Sequence, residues 1–449
     1  MNVLAGASAA LVNFGLPPIL ARFLPESQYA LWNLILPVVA YLGLFGSGVH
    51  LATAKFLSEK EGPDSLWERQ RTVSAGFCLA LLGAALALGC VFLISRFYPT
   101  LYPRIAPDLS SAFSLSILCI GGSAALQILA LLPLGVFTGH QQNASYVGPQ
   151  VLSRAATLAI VAWGASLHWS LPSLALAYAL AGFLLVPLAY TVLLRTHGAY
   201  APALRQLPDW GHLRQLLAYC GHFSLWSIGA LLIHSLDTVL VGRFELSAVN
   251  PYALALALTQ VLSGLLNALA SPLLPGVSAL YQSPSDHPAL ARLLLRTTFW
   301  ASVVGQSLLL AYLLLGKPFF QFYAAGYAQA AHPFFCVLLL AFAIRHVALP
   351  YSIFLLGCSL HAKALPSIFL EGALNLGFSL LLAPRFGALG VAYGTLLGTI
   401  AGQLALGLHC LPQTRPLAPN IRALLIQAFL RPFLWLSPAY VLLLLKLTR

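Results

Sequence analysis

Residues 232–254, LIHSLDTVLVGRFELSAVNPYAL, decide how the rest of the chain is read. They hold one acid, Asp237, inside an apolar run of helical length. That run ends at Gly242-Arg243-Phe244, and another begins at Tyr252-Ala253-Leu254. An acid in a membrane span costs about 2.5–3.5 kcal/mol on insertion scales, so its presence points to a use. The same exit and re-entry occur near the start of the chain, at Ala21-Arg22-Phe23 and then Tyr29-Ala30-Leu31. Arg22 and Arg243 are 221 residues apart and Tyr29 and Tyr252 are 223 apart, close to half of the 449 residues. The chain therefore reads as two similar helical halves, the second opened by this stretch.

Composition supplies the environment. The chain is 59% hydrophobic and 8% charged, whereas an ordinary soluble domain is about a quarter charged. Only lipid covers that much apolar surface. Runs of the roughly 20 apolar residues needed to cross a bilayer recur along the chain, and the ~10-residue alternating segments of a membrane barrel are absent. Twelve spans are predicted, near 1–20, 29–54, 73–97, 112–137, 149–168, 173–194, 217–241, 251–275, 297–316, 332–357, 364–383 and 387–408. A short apolar segment, 432–446, is a thirteenth candidate. The repeat continues inside the halves. PQVLSRAA (149–156) resembles PSIFLEGA (366–373) at an offset of 217, and LALAYALAG (174–182) resembles LGVAYGTLLG (389–398), placing Tyr178 near Tyr393. The expected architecture is an all-α polytopic membrane protein. Two six-helix bundles, 1–206 and 207–408, related by an internal repeat, surround a central cavity. A basic amphipathic stretch and the short apolar segment follow at 409–449.

The net charge of +12 is no nucleic-acid footprint, because the basic residues lie between apolar runs, as in loops facing anionic headgroups. Loops after even-numbered spans carry thirteen Lys and Arg, and those after odd-numbered spans carry six, which places the N-terminus in the cytoplasm. Residues 1–20 read as a retained first helix and not a signal peptide. The longest loop, 195–216, reads as a short interfacial helix joining the halves. The seven cysteines lack CxxC spacing and are expected as free thiols. His50, His140, His361 and His409 sit at span ends without acidic or cysteine partners at ligand spacing, so no metal site and no cofactor are expected. There is no GxxxxGK[ST] phosphate loop, so transport is not driven by ATP bound to this chain.

The charged groups inside spans are the candidate functional residues. Asp237 and Glu371 are the clearest acids, and Arg154 and Arg345 their basic counterparts. Arg154 and Glu371 each follow a proline by five residues, so equivalent positions of the halves carry opposite charge. Arg154 is also near enough to a span end to snorkel. Arg345, deeper and beside His346, suits a cavity-facing role. Asp237 lies three residues after His234, so the two can share a helix face as a protonatable pair or as a packing hydrogen bond. Glu371 and Asn375, at i and i+4, can equally be glue between helices. Arg22 and Arg243 sit at outer span ends, where headgroup contact and ligand contact are both open.

A family resemblance rests on ordered motifs. PPILARFLPESQYALWNLILPVVAYLGLFGSGVHLATAKFLSE (17–59) resembles the first two spans of polysaccharide-export flippases of the multidrug/oligosaccharidyl-lipid/polysaccharide exporter superfamily. SLDTVLVGRF (235–244) resembles the start of that family's seventh span, FYAAGYAQAAHPFF (322–335) its outer loop before the tenth, and NLGFSLLLAPRFGALGVAYGTLLG (375–398) its paired last spans. Pro25 departs from the family's usual glycine. The chain also starts almost directly in a helix where the family has a short basic segment.

The resemblance implies alternating access and a polyprenyl-diphosphate-linked oligosaccharide as cargo, moved across the bacterial or archaeal inner membrane. It implies membrane lipids and polysaccharide-assembly membrane proteins as partners. Arg22, Arg154, Arg243 and Arg345 are then the candidates for the diphosphate, since the guanidinium fork matches phosphate oxygens. His234, Asp237 and Glu371 are the candidates for ion coupling. A proton- or sodium-coupled multidrug antiporter of the same superfamily is the nearest alternative, and would favour carboxylates over arginines in its cavity. A membrane glycosyltransferase or polymerase would need catalytic acids in a sizeable outer loop, where only the isolated Asp108 and Glu245 are available.

Overall fold

A computed structural model describes residues 2–58, 65–102, 105–205, 208–234, 236–270, 273–282, 284–358, 360–414 and 421–441. Among them there are helices and turns but no strand. The chain divides into two compact units, Met1–Leu231 and Leu232–Arg449.

Unit 1 is built from α1 (Asn2–Phe23), α2 (Glu26–Ala40), α3 (Val49–Ser58), α4 (Ser65–Leu101), α5 (Ser110–Gln127), α6 (Leu131–Gly139), α7 (Asn143–Ser166), α8 (Leu171–Phe183) and α9 (Leu185–Thr196). The long α10 (Trp210–His234) follows, and the unit boundary falls inside it. Unit 2 continues with α11 (Leu236–Phe244), α12 (Val249–Ala270), α13 (Leu273–Gln282), α14 (His287–Ala324), α15 (Ala328–Val347), α16 (Leu349–Gly357) and α17 (Leu365–Ala405).

The internal repeat is visible in how the helices pack within each unit. In unit 1, α1 lies on α7, α5 on α8 and on α4, and α3 on α6. In unit 2, α11 lies on α17, α15 on α17 and on α14, and α13 on α16. The breaks repeat too. Pro133 marks the start of α6 and Pro350 that of α16, 217 residues later. A proline is tolerated in the first turn because it has no N–H to donate there. The turn after α7 contains His168 at φ 56°, and α17 folds back on itself at Gly387, φ 58°. Pro25 caps the start of α2 in extended conformation (φ −54°, ψ 144°), with Glu26 in the first turn facing the positive end of the helix dipole. Tyr29 and Tyr252, the markers of the repeat, are both fully buried.

Eight helical runs among the described residues are long and apolar enough to cross a hydrocarbon core, and the bent pair Ser227–Ile233 and Leu236–Phe244 makes a ninth. One of the eight, His361–Gln413, contains the turn at Gly387 and so holds two of the expected passes. The remaining two, α1 and α7, carry Asn13 and Arg22, and Gln150 and Arg154. This is a multi-pass membrane protein. The loop after α9 departs from expectation. Within 195–216 it makes two short 3-10 turns, Gly198–Tyr200 and Pro202–Arg205, and from Trp210 the chain is already in α10, in place of a separate interfacial helix. The second basic stretch forms the short helical pieces Ile421–Leu425, Ile426–Leu430 and Arg431–Trp435. They rest on α14, with Trp435 against Trp300, and Tyr440 Oη donates to Gln306 Oε1 at 3.1 Å. The candidate span 432–446 runs past the described residues after 441.

The fold-back of α17 positions the site. Gly390, Gly394, Gly398 and Gly402 recur every fourth residue and so line one face of the returning helix. A Cβ on any of them would come within 3.0 Å of Leu382, Ser379, Asn375 or Glu371, respectively. The two legs of α17 are thus in backbone contact, the close approach that small residues permit in membrane helices. At the turn, Glu245 accepts a hydrogen bond from the Ala388 amide at 2.8 Å.

Candidate functional site

Within unit 2, close packing of α11, α12, α15 and α17 collects a buried polar cluster. Asp237, 2% exposed, stands in the first turn of α11. Its Oδ2 accepts from Thr395 Oγ1 at 2.7 Å and from Tyr252 Oη at 3.1 Å. Its Oδ1 is buried and takes no hydrogen bond among the described residues. Around it lie Asn375 Oδ1, 3.3 Å from both Thr395 Oγ1 and Ser379 Oγ, and the Val391 carbonyl, 3.2 Å from Thr395 Oγ1 and 3.3 Å from Ser379 Oγ. Asn375 Nδ2 donates away from this knot to the Ile233 carbonyl at 3.2 Å, which turns its amide oxygen inward. The result is a group of oxygens from a carboxylate, an amide, three hydroxyls and a main-chain carbonyl, with no charged nitrogen donor among the described residues.

Arg345 and Glu371 form the second part. Arg345 Nε and Nη2 both donate to Glu371 Oε1, at 2.9 and 2.7 Å, and Nη2 also donates to Thr399 Oγ1 at 2.7 Å. Glu371 Oε2 receives Gln403 Nε2 at 3.4 Å. The Glu371 side chain is 6% exposed and that of Arg345 20%. Arg345 and Asp237 line one small, partly open space of about 30 Å³ together with Thr259, Gln260 and Ser263. A space that size holds one or two waters, or an ion, and nothing larger.

Unit 1 offers a different feature at the corresponding place. Arg154, on α7, is half-buried and donates from Nη1 to Ser8 Oγ at 3.1 Å. It lines a cavity of about 500 Å³ whose other polar lining comes from Asn13, Gln127, Tyr146, Gln150, Ser153, Thr157 and Tyr178. Among the described residues no carboxylate lines it. The volume falls in the range that encloses small organic ligands, roughly 300–1,000 Å³. Tyr178 is held edge-on by Trp32, and Ser153 Oγ donates to the Ala181 carbonyl at 2.9 Å.

Of the residues singled out from sequence, Asp237, Glu371 and Arg345 come together, and Arg154 lines its own cavity. Arg22 and Arg243 end α1 and α11 and are exposed. The side chain of His234 lies outside the described residues. Asn375 belongs to the Asp237 knot and does not bond Glu371. Sequence reasoning missed Thr395, Thr399, Ser379 and Gln403, and also Gln127 and Gln150. Uncharged polar residues are common in membrane helices and carry little signal alone. The four-residue glycine period was the available pointer, since Thr395, Thr399 and Gln403 each follow one of its glycines. The seven cysteines form no disulfide, and no group of three or more His, Cys, Asp or Glu among the described residues could hold a metal.

Two repeated helical units with buried charge in the membrane define a transporter fold, and solved structures of that fold resemble this chain. An inward-facing multidrug-resistance MATE family transporter of the MOP superfamily aligns with TM-score 0.77 at 14% identity, covering 92% of this chain and 95% of its own. The lipid II flippase MurJ, in an inward closed conformation, aligns with TM-score 0.74 at 13% identity, covering 98% of this chain and 92% of its own. A MOP superfamily transporter from Pyrococcus furiosus, described as having a binding pocket of reverse polarity that suggests a different function, aligns with TM-score 0.59 at 14% identity, covering 93% and 96%. No curated protein sequence matches the chain. The model of the family described as polysaccharide biosynthesis protein matches residues 1–280, and the chain belongs to that family.

Proposed function

We propose that this protein is a flippase that moves a polyprenyl-diphosphate-linked oligosaccharide across the cytoplasmic membrane by alternating access, for export of a cell-surface polysaccharide. The observation that carries this reading is the unit 1 cavity, with one arginine and no carboxylate among the described residues, and a lining of amides and hydroxyls. An anionic, sugar-bearing headgroup needs a guanidinium for its phosphates and neutral hydrogen-bonding groups for its hydroxyls. Membership of a polysaccharide biosynthesis family supports it, as does likeness to a lipid II flippase and to a transporter of reversed pocket polarity. Arg154 is the principal contact. Arg22 and Arg243, exposed at helix ends, recruit the phosphates at the membrane surface. The N-terminus is cytoplasmic, the tail of the lipid stays in the bilayer, and the protein catalyses no bond change.

Coupling is assigned to one monovalent cation, taken to be sodium, at Asp237. Its unpartnered Oδ1, Asn375 Oδ1, Thr395 Oγ1, Ser379 Oγ and the Val391 carbonyl form the oxygen set a hard cation prefers. His234 remains a sequence candidate for the same step. A multidrug antiporter is the second reading, and the buried acids of unit 2 favour it. Against it stands the pairing of Glu371 with Arg345, which leaves one free carboxylate in a space too small for an organic cation.

The test is Arg154→Ala in a strain whose surface polysaccharide depends on this chain. Loss of a charged hydrogen bond to phosphate, about 1.5–3 kcal/mol, lowers surface glycan roughly 10- to 100-fold at unchanged membrane level. Arg154→Lys retains part of it, because lysine keeps the charge and loses the fork. Normal surface glycan in Arg154→Ala, or resistance to cationic drugs that Arg154→Ala removes, overturns the assignment.

A further inference from the structure

The buried charges of unit 2 add up to a definite stoichiometry. Among the described residues three charged side chains meet there: Asp237, Glu371 and Arg345. With both carboxylates ionised, they and the one guanidinium leave a net charge of −1 among largely buried groups. The helices packed around it add no compensating cation among the described residues. α12 contributes Thr259, Gln260 and Ser263, and α17 contributes Thr395, Thr399 and Gln403. The neighbouring His346 donates from Nδ1 to the Phe342 carbonyl at 2.8 Å, and its ring rests on Phe342 at 4.0 Å. A net charge inside a bilayer is costly, and a single monovalent cation brings this one to zero.

Arg345 is itself a cation that borders the same space of about 30 Å³ as Asp237. What keeps it off is Glu371, which takes Nε and Nη2 on one oxygen, with Thr399 as a second hold on Nη2. Arg345 Nη1 is the donor left over. We propose that Arg345 is an internal competitor for the Asp237 oxygen set and that Glu371 restrains it, so that the Arg345–Glu371 pair sets how tightly unit 2 takes a monovalent cation. Arg345 and Glu371 are therefore positioning residues for the ion, and neither touches it. When the restraint is lost, the guanidinium neutralises Asp237 and no ion is required. The inference rests on Asp237 being the cation site, as proposed above.

Charge counting separates this role from simple helix packing. Glu371→Gln leaves Asp237 and Arg345, net zero, and weakens cation binding. Arg345→Gln leaves two carboxylates, net −2, and strengthens it. Combining the two restores −1 and with it the wild-type affinity. The experiment measures binding of radioactive sodium to the purified full-length chain in lipid nanodiscs, with thermal midpoints recorded for every variant. Glu371→Gln is expected to weaken sodium binding roughly 10- to 100-fold, the effect of one unit charge a few ångströms away at intermediate dielectric. Arg345→Gln binds at least as tightly as wild type, and the double variant returns to within roughly threefold of it. Sodium binding by Glu371→Gln equal to wild type, or by the double variant weaker than by Glu371→Gln, overturns the proposal while leaving the Asp237 site standing. Sodium binding that Asp237→Asn does not remove overturns the site itself, and this inference with it.

Discussion

Arg154 and Glu371 occupy corresponding places in two units with the same helix packing, yet their surroundings differ in kind. Around Arg154 there is a cavity of about 500 Å³ bordered by neutral polar groups. Glu371 is buried and tied to Arg345, which with Asp237 borders a space of only about 30 Å³. The second leg of each hairpin differs too. In unit 2 that leg carries glycine every fourth residue and comes into backbone contact with the first. In unit 1 the equivalent α8 has Ala175 and Ala179 at the positions that align with Gly390 and Gly394. One scaffold thus yields a space for a molecule in one unit and a space for an ion in the other. The lesson is that the two units differ in the size of the space beside their buried charges as well as in the charges themselves.

Three substitutions test that division. The largest effect belongs to Asp237→Asn, which removes the only carboxylate of the oxygen knot. It lowers cation-dependent glycan export on the order of 100-fold, as loss of one partner of a buried charge pair does elsewhere, while headgroup binding in unit 1 stays near wild type. Equal loss of both in titrations of reconstituted protein would erase the distinction between the units. Next, Gly398→Val forces a branched side chain onto the Asn375 backbone. It destabilises the protein by about 3 kcal/mol, the upper end for overpacking, whereas Ala179→Val, on α8 of unit 1, costs about 1 kcal/mol. Equal shifts in thermal midpoint would break the glycine–alanine argument.

The smallest effect concerns the loop that follows α9. His140 and His197 stack at 4.6 Å, and His140 Nε2 bonds Tyr200 Oη at 2.8 Å. Burial lowers the pKa of both, and for His140 the neighbouring His197 and Arg69 lower it further. Their folded values lie below the unfolded one, so the unfolded form binds protons more readily. The stabilisation is complete above the ordinary histidine pKa of about 6.5 and is lost as pH falls below it. Protease nicking of residues 195–205 should therefore rise modestly between about pH 7.5 and about pH 5.5, and less in His140→Phe. A flat profile in the wild type would remove the role given to the stack.

Much of this was legible in the sequence. The repeat could be read from Arg22 and Arg243 and from Tyr29 and Tyr252, because span ends and buried tyrosines fall at fixed places in each half. The embedded charges stood out because so few charges are present. Their pairing did not. Arg345 and Glu371 are 26 residues apart on different helices, and nothing local says which arginine meets which acid. Glu371 and Asn375 do act as glue between helices, Glu371 through Arg345 on α15 and Asn375 through the Ile233 carbonyl on α10. Each faces its own glycine, Gly402 and Gly398, so they contact the opposing leg at different levels. The separate interfacial helix expected over 195–216 is replaced by two 3-10 turns before Pro208 and by the start of α10 at Trp210.

A seam made of glycine has no side chains that can change rotamer and absorb a displacement. At one end of the α17 hairpin is an exposed turn, Pro384 to Phe386, gripped by Glu245 through the Ala388 amide. At the other end is Glu371. Whatever tugs the turn therefore moves the acid by a similar amount, and the hairpin serves as a stiff push rod between the rim of unit 2 and its charged interior.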